Sequence, residues 1–343
     1  MNWNLLPVAE YERLAPVWDE INEAAGALPF MQARFIGPLC QIFGHAGLQI
    51  ALAESVNKPM AIGILARRGP GQWETFQPSQ LPLGAWLMRP GQDFHELLSS
   101  LAKKLPGVAL AIGITQQDPD HVDRPAHTAL LRTIDYIRTA RIRLAESFEE
   151  YWQKRGKNLR HNMKRQRAKL AQQDVTTHLE TLTHPNDVAC AIEDYGRLEA
   201  AGWKAGHGTD VRSDNNQGRF YKSILEAFCR TGHARIYRYR IGDRVAAIDL
   251  CILCRGTLVI LKTAYDESTN GFSPAFLMRE ESFRGLFEEK RVERIEFFGK
   301  LMEWHTRWTD DIRMLYHVNY YRTSVLRLLA GSRAGYRGSE PAA

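Results

Sequence analysis

The residues best suited to chemistry gather in the last third of this sequence. The first is Asp249, a lone carboxylate inside the apolar run 245–254. Two-residue glycine turns, Gly242-Asp243 and Arg255-Gly256, flank that run and predict a three-strand meander over 234–266. Counting back from those turns pairs Asp249 with Lys262 on one neighbour and Ile236 on the other, with Arg238 diagonally adjacent. A carboxylate in a central strand is costly unless it is paired. Asp249 therefore reads as a base, as a substrate anchor, or as the centre of a structural Arg–Asp–Lys cluster.

The second feature is the junction 266–275, Asp-Glu-Ser-Thr-Asn-Gly-Phe-Ser-Pro-Ala. Ser273-Pro274 reads as an N-cap followed by the first residue of a helix. Asn270 and Gly271 tolerate positive φ and predict a sharp turn. A strand feeding such a turn leaves backbone N–H groups at a helix N-terminus, an arrangement that holds phosphate. The third feature is the segment 154–169, with eight Lys/Arg and no acidic residue. On a helix, Leu159, Met163 and Leu170 form one thin apolar stripe, so most cations face outward. They make either a solvated face or a site for a nucleotide-sugar or lipid-linked acceptor, or for RNA. The aromatic interleaving of single-strand binders is absent from this segment.

The elements that must carry these groups suggest two α/β units. Length alone, 343 residues, favours two domains. The first half reads as a helix over 9–25, strands over 48–54, 60–67 and 73–77, a helix over 94–105, and extended runs over 108–115 and 133–144. The second half reads as a helix over 148–172, a strand over 175–182, and helices over 185–201 and 218–231. The meander, a loop over 267–272, a helix over 273–289 and a short strand over 294–298 follow, and a helical and extended segment runs to about residue 329. The division is expected near residue 145, giving 1–145, 146–330 and a polar tail, 331–343. Five cysteines without a disulfide-type spacing, no leader-like start and no membrane-length apolar run suggest a cytoplasmic protein. Cys251 and Cys254 lie in the apolar run with no second pair, as buried thiols rather than a metal site. A net charge of +6 suggests an anionic partner: coenzyme A, a nucleotide sugar, RNA or an acidic membrane face.

Four segments resemble the CelD/FemAB-like branch of the GNAT (N-acetyltransferase) superfamily. They are SFEEYWQKRGKNLRHNMKRQRAKL from Ser147, LEAAGWKAGHGT from Leu198, AYDESTNGFSPAFLM from Ala264 and IEFFGKLMEWHTRWT from Ile295. The resemblance covers about 147–308, and the first half only by general shape. Glu296 stands where that family usually has Asp, and Trp304-His305 where it has Tyr-Lys.

The resemblance implies an α/β fold of two tandem GNAT units, the first degenerate, and an acyltransferase that uses acetyl-CoA or a longer acyl-CoA and no metal. Tyr265 and Asp266 would end the strand that meets pantetheine. Asn270, Gly271, Ser273, Pro274 and Ala275 would cradle the pyrophosphate, and 294–298 would form the other side of the cleft. Trp203, Lys204, Arg160 and Arg307 would contact an anionic, sugar-nucleotide or lipid-linked acceptor, with peripheral membrane contact allowed. A ternary complex is implied, with His305 as first candidate base because imidazole titrates near pH 6.5, and with Glu296 as a second base or a cap on the cleft. A Fem-type transferase using aminoacyl-tRNA, or a non-catalytic nucleotide-binding module, are the competing functions. The first lacks its expected heptad-patterned helical hairpin here.

Overall fold

The computed structural model describes residues 1–56, 58–201 and 211–333. The chain opens with β1 (Asn2–Pro7), α1 (Tyr11–Ala24) and α2 (Ala33–Phe43). The strands β2 (Gln49–Ser55), β3 (Lys58–Gly69), β4 (Gln72–Thr75) and β5 (Trp86–Met88) follow, then α3 (Phe94–Leu101), β6 (Ala111–Gln117) and β7 (Leu131–Arg143). The expected helix over 148–172 is two helices, α4 (Phe148–Gln153) and α5 (Lys157–Gln172), parted at Gly156, whose ψ of 139° leaves the helical region. Next come β8 (Thr177–Leu182), α6 (Val188–Ala201), α7 (Asn216–Cys229) and the meander β9 (Ala234–Ile241), β10 (Arg244–Cys254) and β11 (Thr257–Tyr265). The last elements are α8 (Pro274–Glu289), β12 (Arg294–Glu296), α9 (Glu303–Thr306), β13 (Ile312–Tyr321) and α10 (Ser324–Arg333).

Two compact units exchange segments. The first gathers Met1–Ala33, Gly44–Arg138 and the chain from Arg313 onward; the second gathers Arg34–Phe43 and Thr139–Ile312. The chain changes unit within β7, close to the division expected near residue 145. A single cut there misses both exchanged segments, because long-range pairing leaves no local composition signal. In the first unit the strand order is β1-β2-β3-β4-β6-β13-β7, with β5 on β3; in the second it is β7-β12-β11-β10-β9-β8. Both sheets are mixed α/β constructions, and each has one parallel pair joined through a helix, β4–α3–β6 and β11–α8–β12.

In the second unit the turns form as the residues predict. Gly242 (φ 56°), Arg255 (φ 41°) and Gly256 (φ 71°) all take the left-handed region that tight hairpins demand. Almost all of β10 is buried, as a central strand apolar on both faces must be. One face packs on α8, α4 and α5, with Leu159, Met163 and Leu170 of the basic helix in that core. On its other flank, α2 meets α7: Phe35 and Phe43 contact the Phe220 ring at 5.3 and 5.6 Å, and Arg34 lies 3.9 Å above Phe228. Cys251 and Cys254 are buried on β10.

Gly218, in the first turn of α7, sits so close to Arg212 that a Cβ would lie 1.8 Å from the Arg212 carbonyl oxygen. Asn215 caps that same turn, its side chain accepting from Gly218 N at 2.9 Å. Gly218→Ala is therefore expected to destabilise the protein by about 2 kcal/mol or more through overpacking. A drop in the urea midpoint at unchanged slope checks it, and an unaltered midpoint would refute the close approach.

Candidate active site

Bulges decide which side chains meet Asp249. The β9–β10 register slips by one residue between Val245 and Ala247, and the β10–β11 register slips between Leu250 and Cys251. Asp249 therefore stands opposite Tyr237 and Thr263, not opposite Ile236 and Lys262. This corrects the expected cluster: each bulge adds one residue and moves the next side chains to the other face. Arg238 turns instead to Asp194 at 2.9 Å and to Glu180, and Lys262 lies 5.8 Å from the Tyr221 ring centre.

The cation that meets Asp249 comes from α8. Arg279 Nε lies 3.5 Å from Asp249 Oδ2, Arg279 Nη2 donates to Thr263 Oγ1 at 2.9 Å, and Thr263 Oγ1 donates to Asp249 Oδ1 at 2.5 Å. Asp249 is 1% exposed and Arg279 3%. Burial holds the Asp249 carboxyl above its ordinary range, outweighing the guanidinium and the Thr263 hydroxyl that pull it down. Sequence reasoning missed Arg279 and Thr263. The only local signal was a lone arginine ending the apolar turn Ala275–Met278 of the helix.

From Arg279 the contacts continue as stacked rings. Its guanidinium lies 4.2 Å above Trp304, which stacks on His305 at 3.5 Å, and Phe297 meets the His305 ring edge-on at 4.9 Å. His305 Nδ1 accepts the Met302 N–H at 2.9 Å, so the neutral ring carries its proton on Nε2. Burial, then the Arg279 charge, lowers the His305 pKa from 6.5 to about 4. The expected titration near neutrality is thus displaced. Because the unfolded chain binds this proton more readily, the stability linked to neutral His305 is complete above pH 6.5 and lost as pH falls toward 4. His305→Gln should remove up to about 3 kcal/mol of that acid destabilisation. Urea midpoints at several pH values check it, and a variant as acid-sensitive as the parent would contradict it. His317 in the first unit, also lowered to about 4 by burial, keeps its own share.

The main-chain frame around this cluster opens beside β11. Strands β11 and β12 pair in parallel over Thr257–Arg294, Leu258–Ile295 and Val259–Glu296. β12 ends there while β11 continues to Tyr265, so beyond Val259 that edge of β11 has no strand partner among the described residues. Glu296 sits where the strands part, 1% exposed, opposite Arg141 of β7 and 3.6 Å from Arg294. Two residues hold left-handed φ here, Ser273 (46°) and Phe298 (51°); such strain in non-glycine residues collects at functional sites.

At the end of β11, residues Glu267–Phe272 form a 3-10 helix instead of the expected loop, and Ser273 rather than Gly271 takes the positive φ. Asp266 caps that turn, accepting from Ser268 N at 2.9 Å. It also lines a cleft of about 440 Å³ with Asp194, Arg197, Arg240 and Arg244. Ser273 is the N-cap of α8 and Pro274 its first residue, as predicted, but the Ser273 hydroxyl accepts from Gln166 Nε2 at 2.9 Å and caps nothing. Pro274 and Ala275 are buried, and helix geometry leaves the Ala275 N–H without an intrahelical acceptor. Gly271 is exposed, and a Cβ there would lie 3.1 Å from Lys169 Nζ of the basic helix. That lysine also lies 4.6 Å above the Phe272 ring. Backbone donors, a helix N-terminus and an adjacent ammonium suit a diphosphate.

The remaining candidates scatter. Tyr265 ends β11, 38% exposed. Arg160 holds Gln153 at 2.6 Å and the Arg155 carbonyl at 3.2 Å, and Arg307 pairs with Glu303 at 2.9 Å. Asn270 lies within the 3-10 turn. Trp203 and Lys204 lie outside the described residues. The first unit's parallel pair, by contrast, is closed. Thr75 Oγ1 and Thr115 Oγ1 hydrogen-bond at 2.6 Å, and Gly84 N donates to Thr115 O at 3.1 Å. A Cβ at Gly84 would lie 2.5 Å from Thr115 O, so only glycine lets the chain enter that gap.

Comparison with known proteins identifies the domain that carries this cluster. Residues 157–306 match the family model for the acetyltransferase (GNAT) domain. None of the curated proteins compared matches the chain. Among solved structures, the C-terminal domain of a putative lysylphosphatidylglycerol synthetase from Agrobacterium fabrum is 14% identical, with TM-score 0.58, covering 96% of both chains. FemX is 9% identical with TM-score 0.57, covering 96% of this chain and 99% of its own. A conserved protein of unknown function from Bacteroides thetaiotaomicron is 9% identical with TM-score 0.55, covering 94% and 99%. At these identities the likeness is one of fold. The chain has the mixed α/β fold that the sequence resemblance implied, with a GNAT domain over residues 157–306.

Proposed function

We propose that this GNAT-fold acyltransferase is an acyl-CoA-dependent N-acyltransferase working in its second unit, with an amino sugar or an envelope polysaccharide precursor as acceptor. One observation carries the reading: β11 and β12 part beyond Val259 and Glu296, with the N-terminus of α8 following the end of β11. The open edge of β11 takes the pantetheine amides, while Ser273–Ala275 and Lys169 take the diphosphate. The acceptor binds as an ammonium ion and gives one proton to a base. Its amine then attacks the thioester carbonyl; the C–N bond forms, the C–S bond breaks, and a second nitrogen proton passes to the leaving sulfur, which departs as the thiol. Glu296 is the carboxylate assigned to take the ammonium proton. Neutral His305 offers Nε2–H to the oxygen that gains charge. Asp249, bonded to Thr263 and Arg279, positions Arg279 instead of touching substrate.

The exposed cations of α5, which end at Lys169 beside Gly271, favour a second reading, an aminoacyl-tRNA donor. A thermal-shift panel separates the two. Acetyl-CoA or a longer acyl-CoA at 100 times its Kd should add about 2.7 kcal/mol of stability. Stabilisation by aminoacyl-tRNA alone would transfer the conclusion to the second reading. A shift with neither donor would remove both.

A further inference from the structure

Among the described residues nine large apolar side chains are exposed, and five of them fall on two adjoining segments of the first unit. Val108 (63% exposed) and Leu110 belong to the loop before β6; Val325, Leu328 and Leu329 belong to α10. Arg322 joins the segments. Its N–H donates to the Leu110 carbonyl at 2.9 Å, and its Nη1 reaches the Ala102 carbonyl at 3.4 Å. Val325, Leu328 and Leu329 share one helix face by their spacing of three and four residues. Leu328, at 67%, is the most exposed of the three.

The charges carried by these two segments have one sign. Lys103, Lys104 and Arg322 are exposed beside them. No Asp or Glu occurs from Leu97 to Gln117 or from Ile312 to Ser339. Scattered exposed leucines need no explanation, but a grouped apolar projection whose own segments carry only cations does. We propose that this surface docks on an anionic phospholipid bilayer, with Val108, Leu110 and the outer face of α10 entering the headgroup boundary and Lys103, Lys104 and Arg322 meeting lipid phosphates. A second copy of the chain is a poorer occupant, because a two-fold contact would set the same three cations against each other. Among the described residues no helix is long and apolar enough to cross a membrane, so the contact is peripheral. The surface belongs to the first unit and does not depend on which donor the second unit uses.

Co-sedimentation of the full chain with vesicles tests the proposal. The chain should sediment with phosphatidylcholine vesicles containing phosphatidylglycerol and much less with phosphatidylcholine alone, and raising salt to about 1 M should weaken the binding. Val108→Glu combined with Leu328→Glu should lower the partition at least about tenfold. Lys103→Glu should lower it about fivefold or more. Both changes are on exposed side chains, so thermal melting and the donor-induced shift should stay as in the parent. Three results would overturn the proposal: a parent chain left in the supernatant with anionic vesicles, a Val108/Leu328 variant that sediments like the parent, or light scattering that shows a parent dimer which Leu328→Glu converts to monomer.

Discussion

Arg279→Met is expected to cost about 3–5 kcal/mol of stability, because it strands a buried carboxylate. Among the described residues Asp249 accepts a hydrogen bond from Thr263 and pairs with Arg279, both in a site closed to water. Removing the guanidinium also takes the cation from the face of Trp304, 4.2 Å away, and so loosens the ring stacked on His305. A double variant, Arg279→Met with Asp249→Leu, should recover most of the stability, since an apolar pair of similar volume replaces a buried ion pair at little cost. Turnover should not recover with it. Denaturant titrations of the two single variants and the double variant form the cycle that measures the coupling. A double variant as unstable as Arg279→Met alone would show that the arginine acts through packing and not through Asp249.

Gly271→Glu should lower the affinity for acyl-CoA at least about 30-fold, equivalent to roughly 2 kcal/mol. The glycine is exposed and does not need positive φ, so the fold tolerates a side chain there. The new carboxylate would pair with Lys169, whose Nζ lies 3.1 Å from the Cβ position, and would hold negative charge where the diphosphate belongs. Lys169→Gln should have a smaller effect in the same direction, because the backbone donors remain. Isothermal titration with acetyl-CoA gives the readout. An unchanged dissociation constant in Gly271→Glu would take the diphosphate away from this turn.

Much of the frame was legible in the residues. Gly242-Asp243 and Arg255-Gly256 placed both hairpins, and Ser273-Pro274 placed the start of α8. Turn chemistry is local, and local rules read it. The partners of Asp249 were not legible, because a bulge at Ala246 or Leu261 carries no marker in composition yet turns the strand over. Arg279 lies thirty positions along the chain from Asp249, and only the packing of α8 on β10 brings them together. α2 was missed for a different reason. Gly37 and Pro38 interrupt its pattern, and both disfavour a helix interior that tertiary packing against Phe220 nevertheless imposes. The titration of His305 was misplaced because the free imidazole value says nothing about a ring enclosed by Trp304, Phe297 and a nearby guanidinium.

The exchange of segments has a consequence for how the molecule comes apart. A fragment ending before Arg313 would leave the first sheet without the strand between β6 and β7, and one beginning after Phe43 would uncover Phe220 and Phe228. Neither stretch on its side of residue 145 contains all of one unit, although each unit has its own core. Protease nicks or gene splits near residue 145 should therefore yield insoluble pieces that regain structure only when co-expressed, and heating should melt the whole chain in one transition.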